Sequence, residues 1–187
     1  MSESSGFSAI FYAGFRKSVA MVQHDRGAVR QQGFSLIELL IVVAIILVLM
    51  AMAIPSLLRS KMSANEASAI SSMRTIVTAQ TGYAITYPQL GFADNLSKLA
   101  FPVGGGPVTQ NAAGYLDWVI GCASQPCTKS GYQFSITNLA GTPVVSYQAI
   151  GVPTLPGETG VRGFCSDQAA RFTYDPNGTS ACSAPLQ

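Results

Sequence analysis

One carboxylate, Glu38, occupies the fifth position of an almost wholly apolar run that begins at Phe34. An ionised carboxylate in hydrocarbon costs roughly 2.5–3.5 kcal/mol on insertion scales, so an ordinary membrane anchor gains nothing from it. The cost is offset if the chain is cut between Gly33 and Phe34, because the cut creates an α-ammonium group about one helical turn from Glu38. Since buried charges are tolerated when they are paired, the spacing predicts cleavage followed by pairing of Glu38 with an amine. That amine belongs either to the same subunit or to a neighbouring copy in a parallel, staggered assembly.

The element that must position Glu38 is a long helix. Residues 34–54 are numerous and apolar enough to cross a bilayer at about 1.5 Å per residue. Pro55 follows, where a kink is expected, and the sequence then continues with helix formers. We predict one kinked helix from residue 34 to about residue 84, roughly 75 Å long. Its second half is expected to bury one stripe spaced three and four residues apart, formed by Met62, Ala69, Ile70, Met73, Ile76, Val77, Tyr83 and Ala84.

The charges before this helix indicate its orientation. Residues 1–33 carry four basic and two acidic side chains, whereas residues 34–187 carry seven of each. The basic excess predicts a cytoplasmic leader over residues 1–33, with Met21 as a second possible start. The balanced remainder gives no reason to expect a specific nucleic-acid partner.

Four cysteines follow the apolar run, and this orientation places all of them outside the membrane. An even number of cysteines in an oxidising compartment predicts disulfides, for which three pairings are possible. Pairing Cys122 with Cys127 and Cys165 with Cys182 is favoured, because each bond then closes a short loop.

The remaining sequence predicts a small antiparallel sheet. Tyr87 and Pro88 end the long helix, and a short helix is possible over residues 94–99. Partly alternating runs at residues 131–138, 143–150, 163–169 and 170–175 predict three or four strands. The fold class is therefore α+β, with a long N-terminal helix packed on a C-terminal sheet.

Two other interpretations compete with an assembling subunit. A conventional signal peptide could be cut after Ala53, where Ala51-Met52-Ala53 forms a small-x-small site. A secreted enzyme is disfavoured because His24, in the leader, is the only histidine, which excludes histidine triads and histidine-bound zinc from the mature chain. No catalytic residue, cofactor or metal site is predicted.

The stretch GFSLIELLIVVAIILVLMAMAIPSL, residues 33–57, resembles the N-terminal signature of the type IV pilin family, which type II secretion pseudopilins share. The resemblance implies cleavage between Gly33 and Phe34 by prepilin peptidase, which also methylates the new amine. It implies that Glu38 acts in methylation and fibre docking and that Pro55 kinks the helix. It further implies that Cys165 and Cys182 bound a C-terminal loop, whereas a Cys122–Cys127 pair is not part of the usual pattern.

By this resemblance the chain divides into a leader (1–33), a membrane and fibre-core helix (34–57) and an amphipathic helix with a sheet head (58–187), the ladle architecture of pilins. The implied function is a structural subunit of a helical pilus for adhesion, motility or DNA uptake. Its implied partners are other copies, the membrane, the peptidase, an assembly platform and an ATPase in trans. The subunit would move from the inner membrane to the cell surface.

The alternative within the family is a pseudopilin, whose major form relies on bound calcium. Sparse acidic residues near the C-terminus, Asp167 and Asp175, make a poor oxygen cage and are interpreted as solvated loop residues.

Overall fold

The computed structural model of the protein describes residues 33–186. The chain divides into two compact units, and the boundary in the sequence falls between Val42 and Val43. The described part of the first unit is residues 33–42, and the second unit contains the remaining described residues.

The first element is the helix α1, Leu36–Thr86, which includes Pro55. Every side chain from residue 33 to residue 61 is exposed. Among the described residues, α1 is the one helix long and apolar enough to cross a membrane, judged by length and composition alone. We call residues 34–58 the exposed apolar stretch, and so large an apolar surface marks a place where membrane or protein must cover the chain.

The predicted long helix is confirmed, with both ends shifted two residues toward the C-terminus. The helix continues through Pro55, so the proline does not end it, and the bend expected there stays a prediction. At its far end, the Tyr87 N–H still donates to the Tyr83 carbonyl at 2.8 Å. Pro88 follows, and a proline disfavours helical backbone at the residue before it.

The second half of α1 buries a broader stripe than the apolar spacing predicts. Of the eight residues predicted, Met62, Ile70 and Ala84 are only partly buried. Three polar side chains join the buried face instead: Glu66, Ser72 and Gln80.

Gln80 shows why a polar residue is tolerated there. It is completely buried, and its amide satisfies both backbone groups of Ala93: Nε2 donates to the Ala93 carbonyl and Oε1 accepts from the Ala93 N–H, each at 2.8 Å. A buried amide with both ends bonded avoids the cost of an unsatisfied polar group, and here it ties α1 to the following loop.

The connection after α1 contains a four-residue helix, α2, Leu96–Leu99. The Asn95 side chain caps it by accepting from the Ser97 N–H at 3.0 Å. The predicted short helix therefore exists, but the residues before the cap lie outside it. A single 3₁₀ turn follows at Val103–Gly105.

The head is completed by one antiparallel sheet in which neighbours in sequence are neighbours in space. The strands are β1 Cys127–Lys129, β2 Tyr132–Ala140, β3 Ser146–Pro153, β4 Gly163–Asp167, β5 Phe172–Asp175 and β6 Ala184–Pro185. The α+β prediction is confirmed, with four central strands close to the predicted runs and two short edge strands in addition.

Alternation along β2 positions the core. Tyr132, Phe134 and Ile136 are buried, and they belong to the same apolar cluster as Met73 and Ile76 of α1. The intervening β2 residues point to the opposite face. The amphipathic half of α1 thus packs on one face of the sheet.

Candidate functional site

The predicted cleavage site lies just before α1. Gly33 and Phe34 are both exposed, with Phe34 82% accessible. A Cβ added to Gly33 would meet no heavy atom within 4 Å, and no left-handed φ requires glycine at this position. Folding of the described chain therefore does not require glycine here, and any requirement for it must come from whatever recognises this segment.

Glu38 lies in the first turn of α1 and caps that turn. The Leu39 N–H donates to the Ser35 carbonyl at 3.2 Å, so Ser35 holds the N-cap position. The Ser35 N–H in turn donates to Glu38 Oε2 at 3.3 Å. A glutamate reaching back from the third helical position to the N-cap N–H is one half of a capping box.

The cap and the helix dipole both stabilise a glutamate side chain at position 38, in the first turn of α1. Unbonded N–H groups give a helix N-terminus a partial positive charge, which favours a carboxylate in the first turn. An α-ammonium at Phe34 would add a full positive charge beside it. The site can therefore hold an ion pair, but Glu38 must share its oxygens between that pair and the Ser35 N–H. The Ser-x-x-Glu spacing of Ser35 and Glu38 is the sequence signal for this cap, which the apolar pattern alone does not predict.

The four cysteines form two disulfides in the head, Cys122–Cys127 and Cys165–Cys182. They separate into two places: the first bond spans five residues at the start of β1, and the second joins buried Cys165 of β4 to the segment before β6. Gly33 and Glu38 belong to the first compact unit, whereas the four cysteines and Pro55, which lies inside α1, belong to the second.

A cluster of polar and aromatic side chains, not predicted from the sequence, joins α1 to the segment before β4. Glu66 Oε1 accepts from the Val161 and Arg162 N–H groups at 2.9 and 3.2 Å. Its Oε2 accepts from Arg162 Nε at 2.9 Å and pairs with Nη2 at 2.8 Å. The guanidinium lies 5.6 and 5.7 Å from the ring centroids of Phe164 and Tyr174. We call these five residues the Glu66 cluster.

The electrostatics of Glu66 are set by two opposing causes. Burial raises the pKa of its carboxyl, but the hydrogen bonds and charge supplied by Val161 and Arg162 outweigh burial and hold the pKa below its ordinary value of 4.5. The ionised form is therefore the one that the fold stabilises.

Replacing Glu66 with glutamine is expected to lower the free energy of unfolding by about 1–3 kcal/mol at neutral pH, because charged hydrogen bonds become neutral ones. A carboxyl whose folded pKa is depressed stabilises the fold above its unfolded pKa and loses that effect as the pH falls through the folded value. The difference in the free energy of unfolding between wild type and Glu66→Gln should therefore shrink as the pH drops below 4.5. Urea unfolding at a series of pH values measures this difference.

The control for this prediction is Asp94→Asn, which removes an exposed ion pair with Lys98 and should cost less than about 1 kcal/mol. A gap between wild type and Glu66→Gln that stays constant or widens on acidification would contradict the role given to the Glu66 carboxylate.

The two acidic residues near the C-terminus differ in environment. Asp167 binds Arg171, with Oδ2 2.8 Å from Nη2. The solvated-loop interpretation is wrong for Asp175, the last residue of β5, which is 5% accessible. Its Oδ2 accepts from the Thr179 hydroxyl at 2.6 Å and from the Thr179 N–H at 2.8 Å. These bonds lower the pKa of Asp175 and fix the turn that follows.

A cleft of about 630 Å³ lies on the sheet and has an uncharged lining. It is lined by Gln125, Pro126, Gln133, Ser135, Thr137, Ile150, Val152, Gly178, Thr179 and Ser180. These groups can donate and accept hydrogen bonds but supply no acid or base for catalysis. This cleft therefore offers a ligand only neutral groups.

Comparison with known proteins gives two findings for this chain. The family model described as the prokaryotic N-terminal methylation motif matches residues 29–54, which include Gly33, Phe34 and Glu38. The chain is also similar to the type IV major pilin protein PilA of Myxococcus xanthus (strain DK1622), with 31% identity over 130 residues. That alignment covers 70% of this chain and 50% of the relative, so the chain spans about half the length of that protein. No solved structure is significantly similar to the chain.

Proposed function

We propose, from the premise that this chain belongs to the type IV pilin family, that it is cleaved, methylated and assembled into a helical surface filament. Members of this family are structural subunits, and the chain is a pilin subunit rather than an enzyme. The observation that carries the filament proposal is the exposed apolar stretch, which begins at Phe34 and has Glu38 in its first turn.

The proposed route follows from the chemistry of this stretch. Residues 1–33 act as a leader, residues 34–57 cross the inner membrane, and residues 58–187 form the head outside. In the filament the same apolar side chains are buried against other copies, so one apolar environment replaces another and the transfer is not prohibitively uphill. A repeated head-to-tail contact that does not close into a ring gives a helical fibre.

The charge pair gives the assembly a directional contact, which apolar packing alone does not provide. Leu, Ile and Val pack without strong directional preference, whereas an ion pair between Glu38 and the Phe34 amine of a neighbour fixes one stagger. Methylation leaves the amine charged, so the pairing survives it. Energy for extraction comes from an ATPase acting through an assembly platform, and adhesion, motility or DNA uptake are properties of the finished fibre.

The family similarity also bears on the pseudopilin alternative. The relative is named a major pilin. We therefore propose that this chain is a subunit of a pilus rather than a pseudopilin of a secretion system. A secretion role would require the chain to support protein export without surface filaments.

We predict that the mature chain begins at an N-methylated Phe34. Mass spectrometry of protein sheared from the cell surface measures this terminus directly. A chain starting at Ile54 would instead support cleavage as a conventional signal peptide.

The Gly33→Val variant tests whether cleavage between residues 33 and 34 requires glycine. Since a side chain at this position meets open space, the fold is expected to form normally. The variant should accumulate as an uncut membrane precursor because the processing enzyme no longer accepts the segment. Normal cleavage of Gly33→Val would contradict the assignment of the site.

A further inference from the structure

The ion pairs of the described residues leave an uneven distribution of charge. Residues 33–186 contain seven basic and seven acidic side chains. Four of the basic residues form ion pairs in the head: Lys98 with Asp94, Lys129 with Asp117, Arg162 with Glu66, and Arg171 with Asp167. The other three, Arg59, Lys61 and Arg74, all lie on α1, and none pairs with any residue in the described range.

Arg59 and Lys61 have a particular position on the helix. They are exposed, and they are the first charged residues after the apolar stretch that ends at Leu58. Long basic side chains at the end of a membrane span extend their charged groups to the level of the lipid headgroups. Arg74 lies fifteen residues after Arg59, about 22 Å further along the helix, beyond the reach of a side chain from that level.

The acidic residues of another copy make a poor match for these cations. Among the described residues, Glu158 is the one exposed acidic side chain that is engaged in neither an ion pair nor a side-chain hydrogen bond. Phospholipid phosphates, in contrast, surround the helix on every side where it leaves the membrane. The count of available anions therefore favours lipid over a second copy as the partner of Arg59 and Lys61.

We propose that Arg59 and Lys61, which their two-residue spacing places on opposite sides of the helix, each bind the phosphate group of an anionic phospholipid and so form a lipid surface around the helix, in the leaflet from which the head emerges. The inference rests on the proposed membrane-inserted stage of the subunit. Two cations near a negatively charged surface attract it electrostatically, and salt screens that attraction. The contact holds the inserted subunit at a defined depth, with the Glu66 cluster outside the bilayer, until extraction.

The test uses the mature full chain, beginning at Phe34, reconstituted in phosphatidylcholine bilayers. A trace of spin-labelled phosphatidylglycerol or phosphatidylcholine reports, by electron paramagnetic resonance, how much of each lipid is immobilised at the protein. Wild type is expected to prefer phosphatidylglycerol about threefold, and added salt should reduce that preference.

The decisive comparison is between two sets of variants. The double variant Arg59→Gln/Lys61→Gln should lose the preference, whereas Arg74→Gln, which removes the same kind of charge further along α1, should retain it. Equal association of both lipids with wild type, an unchanged preference in the double variant, or loss of the preference in Arg74→Gln would each overturn the inference.

Failure of the inference can be told apart from failure of the proposed function. Immobilised lipid of either kind shows that the helix has inserted, so insertion without headgroup preference overturns the lipid surface alone. Absence of any immobilised lipid overturns the membrane-inserted stage and the lipid surface together. If lipid preference is absent while both the double variant and Glu158→Gln lower filament yield, the partner is a second copy and the lipid proposal is wrong.

Discussion

The Glu38→Ala variant is expected to reach the membrane at the wild-type level while the yield of sheared filaments falls more than about tenfold, because a buried amine loses its partner. Insertion itself should not suffer, since removing a carboxylate from an apolar stretch lowers the cost of burial. The measurement is quantitative immunoblotting of sheared and membrane fractions. When the variant is made together with wild type, it should also be excluded from the wild-type filaments.

The observed cap makes a sharper version of this experiment possible. Glutamine at position 38 can still accept the Ser35 N–H bond that Glu38 accepts, because a capping box tolerates either residue. Glutamine cannot neutralise an amine. If charge pairing drives assembly, Glu38→Gln should be as defective as Glu38→Ala; if capping of α1 is the essential role, Glu38→Gln should assemble normally.

Ser35→Ala is the matched control on the other side of the cap. Its backbone N–H and carbonyl make the observed bonds, and alanine keeps both groups. Near-normal filament yield is therefore expected. An active Glu38→Gln variant would remove the charge-pairing mechanism and assign Glu38 to the helix cap, whereas a defective Ser35→Ala variant would point to a separate role of the Ser35 hydroxyl.

The long helix α1 was predictable because the pattern of its apolar residues is visible in the sequence. The uninterrupted apolar run and the three- and four-residue spacing after Pro55 predicted one long helix, and the structure places it at Leu36–Thr86. The helix begins two residues later than predicted because Ser35 takes the N-cap position. Residue periodicity alone does not reveal a cap, although the Ser-x-x-Glu spacing does.

Polar burial was not predictable from the same signals. A search for helical periodicity uses only the positions of apolar residues. It therefore places the polar residues Glu66 and Gln80 on the solvated face of α1. Their partners come from elsewhere in the fold: the Val161 N–H that Glu66 binds is 95 residues away. A distant backbone group leaves no mark in the local sequence, and the Glu66 cluster becomes visible only when the helix and the sheet are seen together.

The edge strands escaped prediction for a different reason. β1 has three residues and β6 has two, too few for alternation to show. β6 forms because pairing with β5 brings Pro185 opposite Thr173 and Ala184 opposite Tyr174. Such short strands depend on what holds their flanking segments in place, and for β6 the flanking segment contains Cys182.

Removing the Cys165–Cys182 bond, by the double variant Cys165→Ser/Cys182→Ser, is expected to lower the free energy of unfolding of the head by about 3 kcal/mol. The bond ties buried Cys165 of β4 to the chain seventeen residues later, so its loss increases the freedom of the unfolded chain. In the folded state the two-residue β6 should detach more readily from β5. Filaments of the variant should also dissociate at lower temperature, because each head is less stable.

The matched control is Cys122→Ser/Cys127→Ser, which also removes two cysteines but opens a loop spanning only five residues. The chain-entropy relation gives this bond about 2 kcal/mol, so its removal should cost less. Urea unfolding of each mature protein in detergent micelles can be followed by the fluorescence of Trp118, the single tryptophan of the chain. An unchanged midpoint in the Cys165→Ser/Cys182→Ser variant, or a larger loss in the control, would show that the C-terminal bond does not stabilise the head in the way its loop length implies.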